Sequence, residues 1–249
     1  MTGKRFYRQD SCSERFRSFS VKVKETDLWL AVSNSSYQED LEEKITSILW
    51  QERSLLEEYI KHNKQFKVTL NPYVAEHTAP AIVKIMTRAG NTAGVGPMAS
   101  VAGTFAEIIG RYLLTFSPEI MVENGGDIFL KVDQPVKVGI FAGKSSINDK
   151  LAISIMPEQT PLGICTSSGT VGPSYSEGSA DAVVILSRSA SLADAVATKA
   201  GNLIKNPSDF KAALSYVQGI KEVSGVVFVC DNHLAVWGDV RLDRSKANI

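Results

Sequence analysis

Between Arg15 and Val23 apolar and polar positions roughly alternate, and Leu28–Val32 is a short apolar run. With Glu25-Thr26-Asp27 between them, the two stretches predict an opening β-hairpin. The period then changes. From Tyr37 to Asn63, Leu41, Ile45, Ile48, Leu49, Leu55, Leu56, Tyr59 and Ile60 recur at three- and four-residue steps. That spacing predicts a long amphipathic helix, whose acidic start at Glu39 and Asp40 suits the helix dipole. Asn71-Pro72 breaks the chain, and the apolar run Ala79–Met86 fits a helix or a strand equally well. Gly96-Pro97 puts a proline at a first helical position, where its missing N–H costs nothing. Behind it Met98, Val101, Ala102, Phe105, Ile108, Ile109, Tyr112 and Leu113 form a stripe, with Glu107 and Arg111 placed to pair on the exposed side. After Ser117-Pro118, Ile120–Glu123 and Asp127–Val132 flank Asn124-Gly125-Gly126 as strand, turn and strand. Further strands fit Val136–Phe141, Leu151–Ile155, Ala182–Leu186, Val226–Cys230 and Leu234–Trp237, and helices fit Ser191–Ile204 and Ser208–Val217.

Strands adjacent in sequence, without strict alternation with helices, predict an α+β fold with a largely antiparallel sheet. No low-complexity linker and no fixed-period repeat divides the 249 residues, so 1–249 reads as one domain. Lys+Arg 27 against Asp+Glu 27 gives no net field to recruit nucleic acid. The three cysteines (Cys12, Cys165, Cys230) form no C-x-x-C pair, and His62, His77 and His233 lie far apart. A disulfide framework, a cysteine-only zinc site and a histidine-metal enzyme are thereby disfavoured. The N-terminal residues contain no apolar core of signal-peptide length, and glycines and Pro97 interrupt the uncharged stretch 89–106. The expectation is a cytoplasmic protein with a small-molecule or nucleotide ligand and no nucleic-acid or membrane partner, which could form a homodimer. The seven basic and two acidic side chains of residues 1–24 read as a solvated strand edge.

Four segments could carry chemistry. Gly94-Val95-Gly96-Pro97-Met98-Ala99 matches G-x-G-x-x-A, which can bring a phosphate to helix-start amides or simply shape a loop. Glu123-Asn124-Gly125-Gly126-Asp127 is a hairpin turn whose glycines could also leave amides open to a ligand. Cys165-Thr166-Ser167-Ser168-Gly169-Thr170-Val171-Gly172 reads as a donor-rich loop suited to phosphate, carboxylate or ribose. Cys165 in it is a weak nucleophile candidate, since a buried cysteine is usually inert packing. In Ser191-Leu192-Ala193-Asp194-Ala195-Val196-Ala197-Thr198, Asp194 and Thr198 share one helical face and could give Mg²⁺ two oxygens. The rival reading of that segment is a capping box of Ser191 with Asp194.

Taken together and in order, these segments resemble the ApbE-like superfamily, whose best-known members are FAD:protein FMN transferases. Those proteins show G-G-I-A-K-G, N-x-G-G-D-I, T-S-G and A-D-A-x-x-T. The counterparts here are Gly96-Pro97-Met98-Ala99-Ser100, Asn124-Gly125-Gly126-Asp127-Ile128, Thr166-Ser167-Ser168-Gly169 and Ala193-Asp194-Ala195-Val196-Ala197-Thr198. A branch of the superfamily sharing GVGPMA, VAG, VENGGDI, CTSSGTVG and ADA is more similar still, over nearly the whole chain. The resemblance implies an ApbE-like (T-fold-like) α+β fold. It also implies FAD or a related nucleotide against Gly125, Gly126, Asp127, Thr166, Ser167, Ser168 and Gly169. Mg²⁺ would be held by Asp194, Thr198 and the Ala99 carbonyl. In the transferases the metal polarises the FAD pyrophosphate and a substrate threonine attacks, releasing AMP.

The sequence departs from the transferases in two places. Ser100 stands where they have lysine. Their H-x-x-D-P-x-T-G segment is replaced by Val171-Gly172-Pro173-Ser174-Tyr175-Ser176-Glu177-Gly178, which has no histidine; relatives in the branch often have histidine at the position of Pro173. A general base contributes about 10²–10⁴-fold, so a flavin- or nucleotide-binding protein without FMN transfer is the expectation. The alternatives are three. One is an enzyme or accessory protein of anaerobic sulfur assimilation, forming homocysteine with Cys165 as sulfur carrier in a loop whose amides stabilise a thiolate. Another is an active transferase using Glu177 or Asp127 as base, and the last is an interaction module with a vestigial pocket.

Overall fold

The computed structural model describes residues 15–143, 145, 151–169 and 178–243. Strands β1 (Phe16–Val23) and β2 (Thr26–Ser33) form the opening hairpin, paired from Phe16↔Ser33 to Val23↔Thr26. Lys24 turns the chain at φ 52°, so the hairpin is tighter than the expected three-residue connection. Helix α1 (Leu41–His62) follows, buried through Leu41, Ile45, Leu49, Leu56 and Tyr59. Its acidic first turn is Glu42 and Glu43; Asp40 is the N-cap and Glu39 lies outside. After α2 (Lys64–Val68) comes α3 (Ala81–Ala93), which settles the ambiguous apolar run as helix. Ile82, Val83, Met86, Ala89, Gly90 and Ala93 are buried at helical spacing, and Gly94 ends the helix in the left-handed region at φ 71°.

The proline-led helix is two elements, a 3₁₀ turn at Pro97–Ser100 and then α4 (Val101–Leu113). Strands β3 (Ile120–Asn124) and β4 (Asp127–Lys131) flank Gly125-Gly126, whose φ values of 69° and 106° are those that a two-residue hairpin turn asks of glycine. Beyond them lie β5 (Val136–Gly139), β6 (Ala152–Ile155), β7 (Leu162–Ser167), β8 (Ala182–Ser187), α5 (Ala190–Leu203), α6 (Phe210–Gln218), β9 (Val223–Cys230), β10 (His233–Gly238) and β11 (Arg241–Asp243). Two strands, β7 and β11, do not follow from the sequence pattern. β7 lies between β4 and β8; its hydroxyl-rich end, Thr166-Ser167, pairs with Val184 and Val183 of β8, and that pairing overrides its loop-like composition.

An eight-stranded sheet runs β1-β2-β3-β4-β7-β8-β9-β10, every neighbour antiparallel. Its two faces bury separate cores. Leu28, Leu30, Val32, Val122, Phe129, Cys165, Val183, Ile185 and Phe228 face the helices. The alternate residues Trp29, Ala31, Met121, Leu130, Ile164, Val184 and Val227 face a smaller sheet of β11-β6-β5. The chain is thus three layers: helices, large sheet, small sheet. Edge strand β1 exposes Arg17, Lys22 and Lys24 at its rim, as a charged edge should, and Arg15 pairs with Glu119 at 3.1 Å. Helix α4 approaches the sheet closely because Gly110 has no side chain where a methyl group would overlap the Phe129 ring. No helix among the described residues is long and apolar enough to cross a membrane.

Candidate functional site

The hairpin β3–β4 sets Asn124 directly opposite Asp127. The register that pairs Ile128 with Ile164 carries Asp127 next to Cys165 on the neighbouring strand. All three lie on the helix-facing side, so they form one row beneath α4 and α5. Above that row, Asn124 Nδ2 donates to the carbonyl of Ala102, 3.1 Å away in the first turn of α4. The Asp127 carboxylate accepts the Thr166 amide at 3.3 Å. Cys165 Sγ donates to the Ala190 carbonyl at 3.2 Å and also faces Asp127. Residues far apart in sequence therefore meet where α4 and α5 begin.

The two helices cap each other. Asp194, on α5, accepts the Gly103 amide of α4 at 2.9 Å, and the Ala102 amide also faces it. Glu107, on α4, accepts the Ser191 amide of α5 at 3.2 Å and the Ser189 hydroxyl at 2.8 Å. First-turn amides have no partner within their own helix, and a carboxylate there also meets the positive end of the dipole. Thr104 Oγ1 joins the same seam, 2.7 Å from Ser191 Oγ and 2.6 Å from the Ser100 carbonyl. Gly103 permits this closeness: a methyl group on it would overlap the Ala190 carbonyl and lie 2.9 Å from Asp194 Cβ.

This geometry excludes the capping box of Ser191 with Asp194. The N-cap of α5 is Ser189, whose hydroxyl accepts the Leu192 amide at 3.3 Å, while Asp194 serves the other helix. Glu107 does pair with Arg111, at 2.6 Å, yet it is only 7% exposed, so the expected solvent-side pair is instead half of a buried network. Contacts along the seam run backwards on α4 (Glu107, Thr104, Gly103) as they advance on α5 (Ser189, Ser191, Asp194). Thr198 lies one turn further along α5. The 3₁₀ turn carrying Ala99 also packs against α5.

Burial governs the charges. Removal from water pushes the Asp127 carboxyl up to about 7, and Glu123 adds to it; the Cys165 and Thr166 hydrogen bonds oppose the rise. Asp194 is pushed well above the usual carboxylate range by desolvation and then by Asp127, against the pull of the Gly103 and Ala102 amides. Its carboxyl is enclosed although the residue as a whole keeps some exposure. The Cys165 thiol is raised well above its ordinary value by burial and by Asp127 and Asp194. It sits in strand β7, fully buried, and not in a loop whose amides could hold a thiolate.

Several amides expected to be open are in use. Gly126 N–H donates to Glu123 Oε1 at 2.7 Å, Thr166 N–H to Asp127, and Gly169 N–H to the Ala180 carbonyl at 2.9 Å. Gly126 nonetheless borders open space, with nothing within 4 Å of where a Cβ would stand. Ser167 ends β7 beside Gly201 of α5, and Ser168 and Gly169 follow it. At the G-x-G-x-x-A segment the loop-shaping reading holds. Gly94 caps α3, and Gly96 donates to the Leu70 carbonyl at 2.9 Å where a side chain would overlap the Thr69 carbonyl. Helix α3 and not a strand leads into it, so a dinucleotide fold is excluded. Ser100 is buried and donates to the Pro97 carbonyl at 2.8 Å. Thr170 to Glu177, including Pro173, lie outside the described residues. Among the described residues no group of three His, Cys, Asp or Glu side chains is arranged to hold a metal.

Sequence reasoning missed Glu107, Thr104 and Ser189. One signal was available: Ser100, Gly103, Thr104 and Glu107 are small or polar at three- and four-residue steps, a second stripe beside the apolar one.

Comparison with known proteins agrees with this architecture. A profile of the AbpE bacteria family matches residues 9–222. A UPF0280 protein of Methanosarcina barkeri is 39% identical over 229 residues, covering 90% of this chain and 88% of that protein. One from Methanococcus vannielii is 40% identical over 228 residues, covering 90% and 91%. Among solved structures, the flavin transferase ApbE from Vibrio cholerae aligns with a TM-score of 0.55 at 14% identity, covering 90% of this chain and 96% of that one. The apo flavinyl transferase ApbE of Pseudomonas stutzeri gives 0.53 at 12%, covering 90% and 94%. At such identities the structural likeness is one of fold. The sequence matches go further: the chain belongs to the AbpE bacteria family and with the UPF0280 proteins, and it has the fold of the ApbE flavin transferases.

Proposed function

We propose that this chain binds a flavin nucleotide, FAD or a close relative, together with Mg²⁺, and has lost FMN transfer. The observation that carries the reading is the convergence of the β3–β4 turn, the end of β7 and the starts of α4 and α5 around Asp127 and Asp194. The donors fit the metal. Asp194, Thr198 and the Ala99 carbonyl are hard oxygens of the kind Mg²⁺ prefers. Asp127 and Asp194 form an enclosed acidic pair with no Lys or Arg ion pair among the described residues, an arrangement that a divalent cation would relieve. Bound there, the cation would neutralise and polarise a pyrophosphate. The Gly103 amide orients Asp194 for that task, and Glu107 fixes the helix start from which Asp194 and Thr198 project.

Loss of transfer rests on two residues' worth of chemistry. Ser100, in the position of the transferase lysine, spends its hydroxyl on the Pro97 carbonyl. The interval 171–178 supplies no histidine. One observation favours a second reading, an active transferase: Asp127, pushed up to about 7, has the proton affinity of a base working near neutrality. No comparable observation favours Cys165 as a sulfur carrier in homocysteine formation, because its buried thiol resists ionisation.

Flavin fluorescence titrations with and without Mg²⁺ test the proposal. FAD or FMN should bind in a Mg²⁺-dependent way, and D194A and T198A should weaken binding at least tenfold. Failure of the wild-type protein to take up either flavin refutes it. AMP release with a threonine-bearing acceptor protein would select the transferase reading instead.

A further inference from the structure

On the other side of α3 lies a groove that shares no residue with the Asp127–Asp194 site. It is a shallow, open depression of about 480 Å³ between residues 73–77 and the outward positions of α3. We propose that it binds a small organic anion, a phosphate or carboxylate on an apolar body.

Thr87 lines the groove, is only 8% exposed, and its Oγ1 has no hydrogen-bond partner among the described residues. One residue further along the helix and three back, Arg88 and Lys84 stand one turn apart on the same rim. Both are exposed, and neither forms an ion pair among the described residues. Glu76 and His77 complete the polar lining, so two fixed cations face one carboxylate and the balance favours an anion. Tyr73, Val74 and Ala75 offer an apolar wall, and Val74 is 89% exposed.

The groove is built in advance. Asn91 accepts the Tyr73 amide and donates to the Tyr73 carbonyl, both at 2.8 Å, which pins the wall to α3. The Tyr73 ring packs edge-on against Phe66 with centroids 5.3 Å apart. A ligand would therefore meet a rigid wall and lose little affinity to ordering it.

Amide shifts of ¹⁵N-labelled protein, recorded in EDTA with phenyl phosphate, benzoate or inorganic phosphate, provide the test. Saturable shifts at Ala75, Thr87 and Asn91 are expected, with at least one aromatic anion binding more tightly than inorganic phosphate; the ranking of phenyl phosphate against benzoate distinguishes phosphate from carboxylate. K84Q/R88Q should weaken binding at least tenfold. D194A should bind as wild type does, which separates this groove from the flavin proposal. The inference is overturned if none of the three probes gives saturable shifts there. Binding that persists in K84Q/R88Q, or that disappears in D194A, overturns it equally.

Discussion

Replacing Glu107 tests whether the two helices hold each other at the site. One carboxylate, 7% exposed, accepts the Ser191 amide, the Ser189 hydroxyl and the Arg111 guanidinium. E107A deletes all of these and leaves the Ser191 amide and Ser189 hydroxyl of the α5 start without their acceptor. Hydrogen bonds to a charged group are worth about 1.5–3 kcal/mol each, and removing one side of a buried charged network costs about 3–5 kcal/mol. At roughly 2–4 °C per kcal/mol for a protein of this size, the melting midpoint should fall by about 6–20 °C. E107Q keeps an acceptor of the same shape and should lose only about 1–2 kcal/mol. R111A removes a partner whose side chain is 57% exposed, and should cost under about 1 kcal/mol. Urea unfolding of the three variants reads these differences directly. A cost for E107A below about 1 kcal/mol, or equal to that of R111A, would refute the reciprocal cap.

Other consequences are as specific. G103A forces a methyl group onto the Ala190 carbonyl and Asp194, so it should destabilise by about 2–4 kcal/mol and weaken Mg²⁺-dependent ligand binding; wild-type stability would contradict the close approach. Asp127 has a raised pKa in the folded chain, so its contribution is fully present below about pH 4 and is lost as pH rises through about 7. The stability of wild type relative to D127N, measured without metal, should therefore decline across that window, and a flat difference would disprove the burial effect. Cys165 should resist iodoacetamide at pH 7 in the native protein and react after unfolding, as residue-resolved mass spectrometry can establish. Rapid native labelling would reopen its candidacy as a nucleophile.

The fold was legible where a single face is buried. α1 and α4 follow from three- and four-residue spacing, and the β3–β4 turn from glycines that alone tolerate its φ values comfortably. β7 was not, because Thr166 and Ser167 owe their extended backbone to pairing with β8 and not to their own preferences. Ala79–Met86 was ambiguous because Ile82, Val83 and Met86 bury on either assignment; only tertiary packing chose the helix. At the site, the order of motifs brought Asp127, Thr166 and Asp194 under suspicion. Which partner each carboxylate serves was hidden, since Asp194 meets Gly103 across 91 positions of sequence and Glu107 meets Ser191 across 84. The local pattern Ser191-x-x-Asp194 pointed to a carboxylate cap within α5, whereas Ser189 is the cap within α5 and both carboxylates serve the other helix.

The most direct measurement is anomalous diffraction from crystals grown with FAD and Mn²⁺ in place of Mg²⁺. The account predicts one strong manganese peak at about 2.0–2.3 Å from oxygens of Asp194, Thr198 and Ala99, comparable to Mg²⁺ coordination, with flavin phosphates on its far side and the glycine turn at Gly126 alongside. A peak elsewhere, or flavin density away from the junction of α4 and α5, would contradict it.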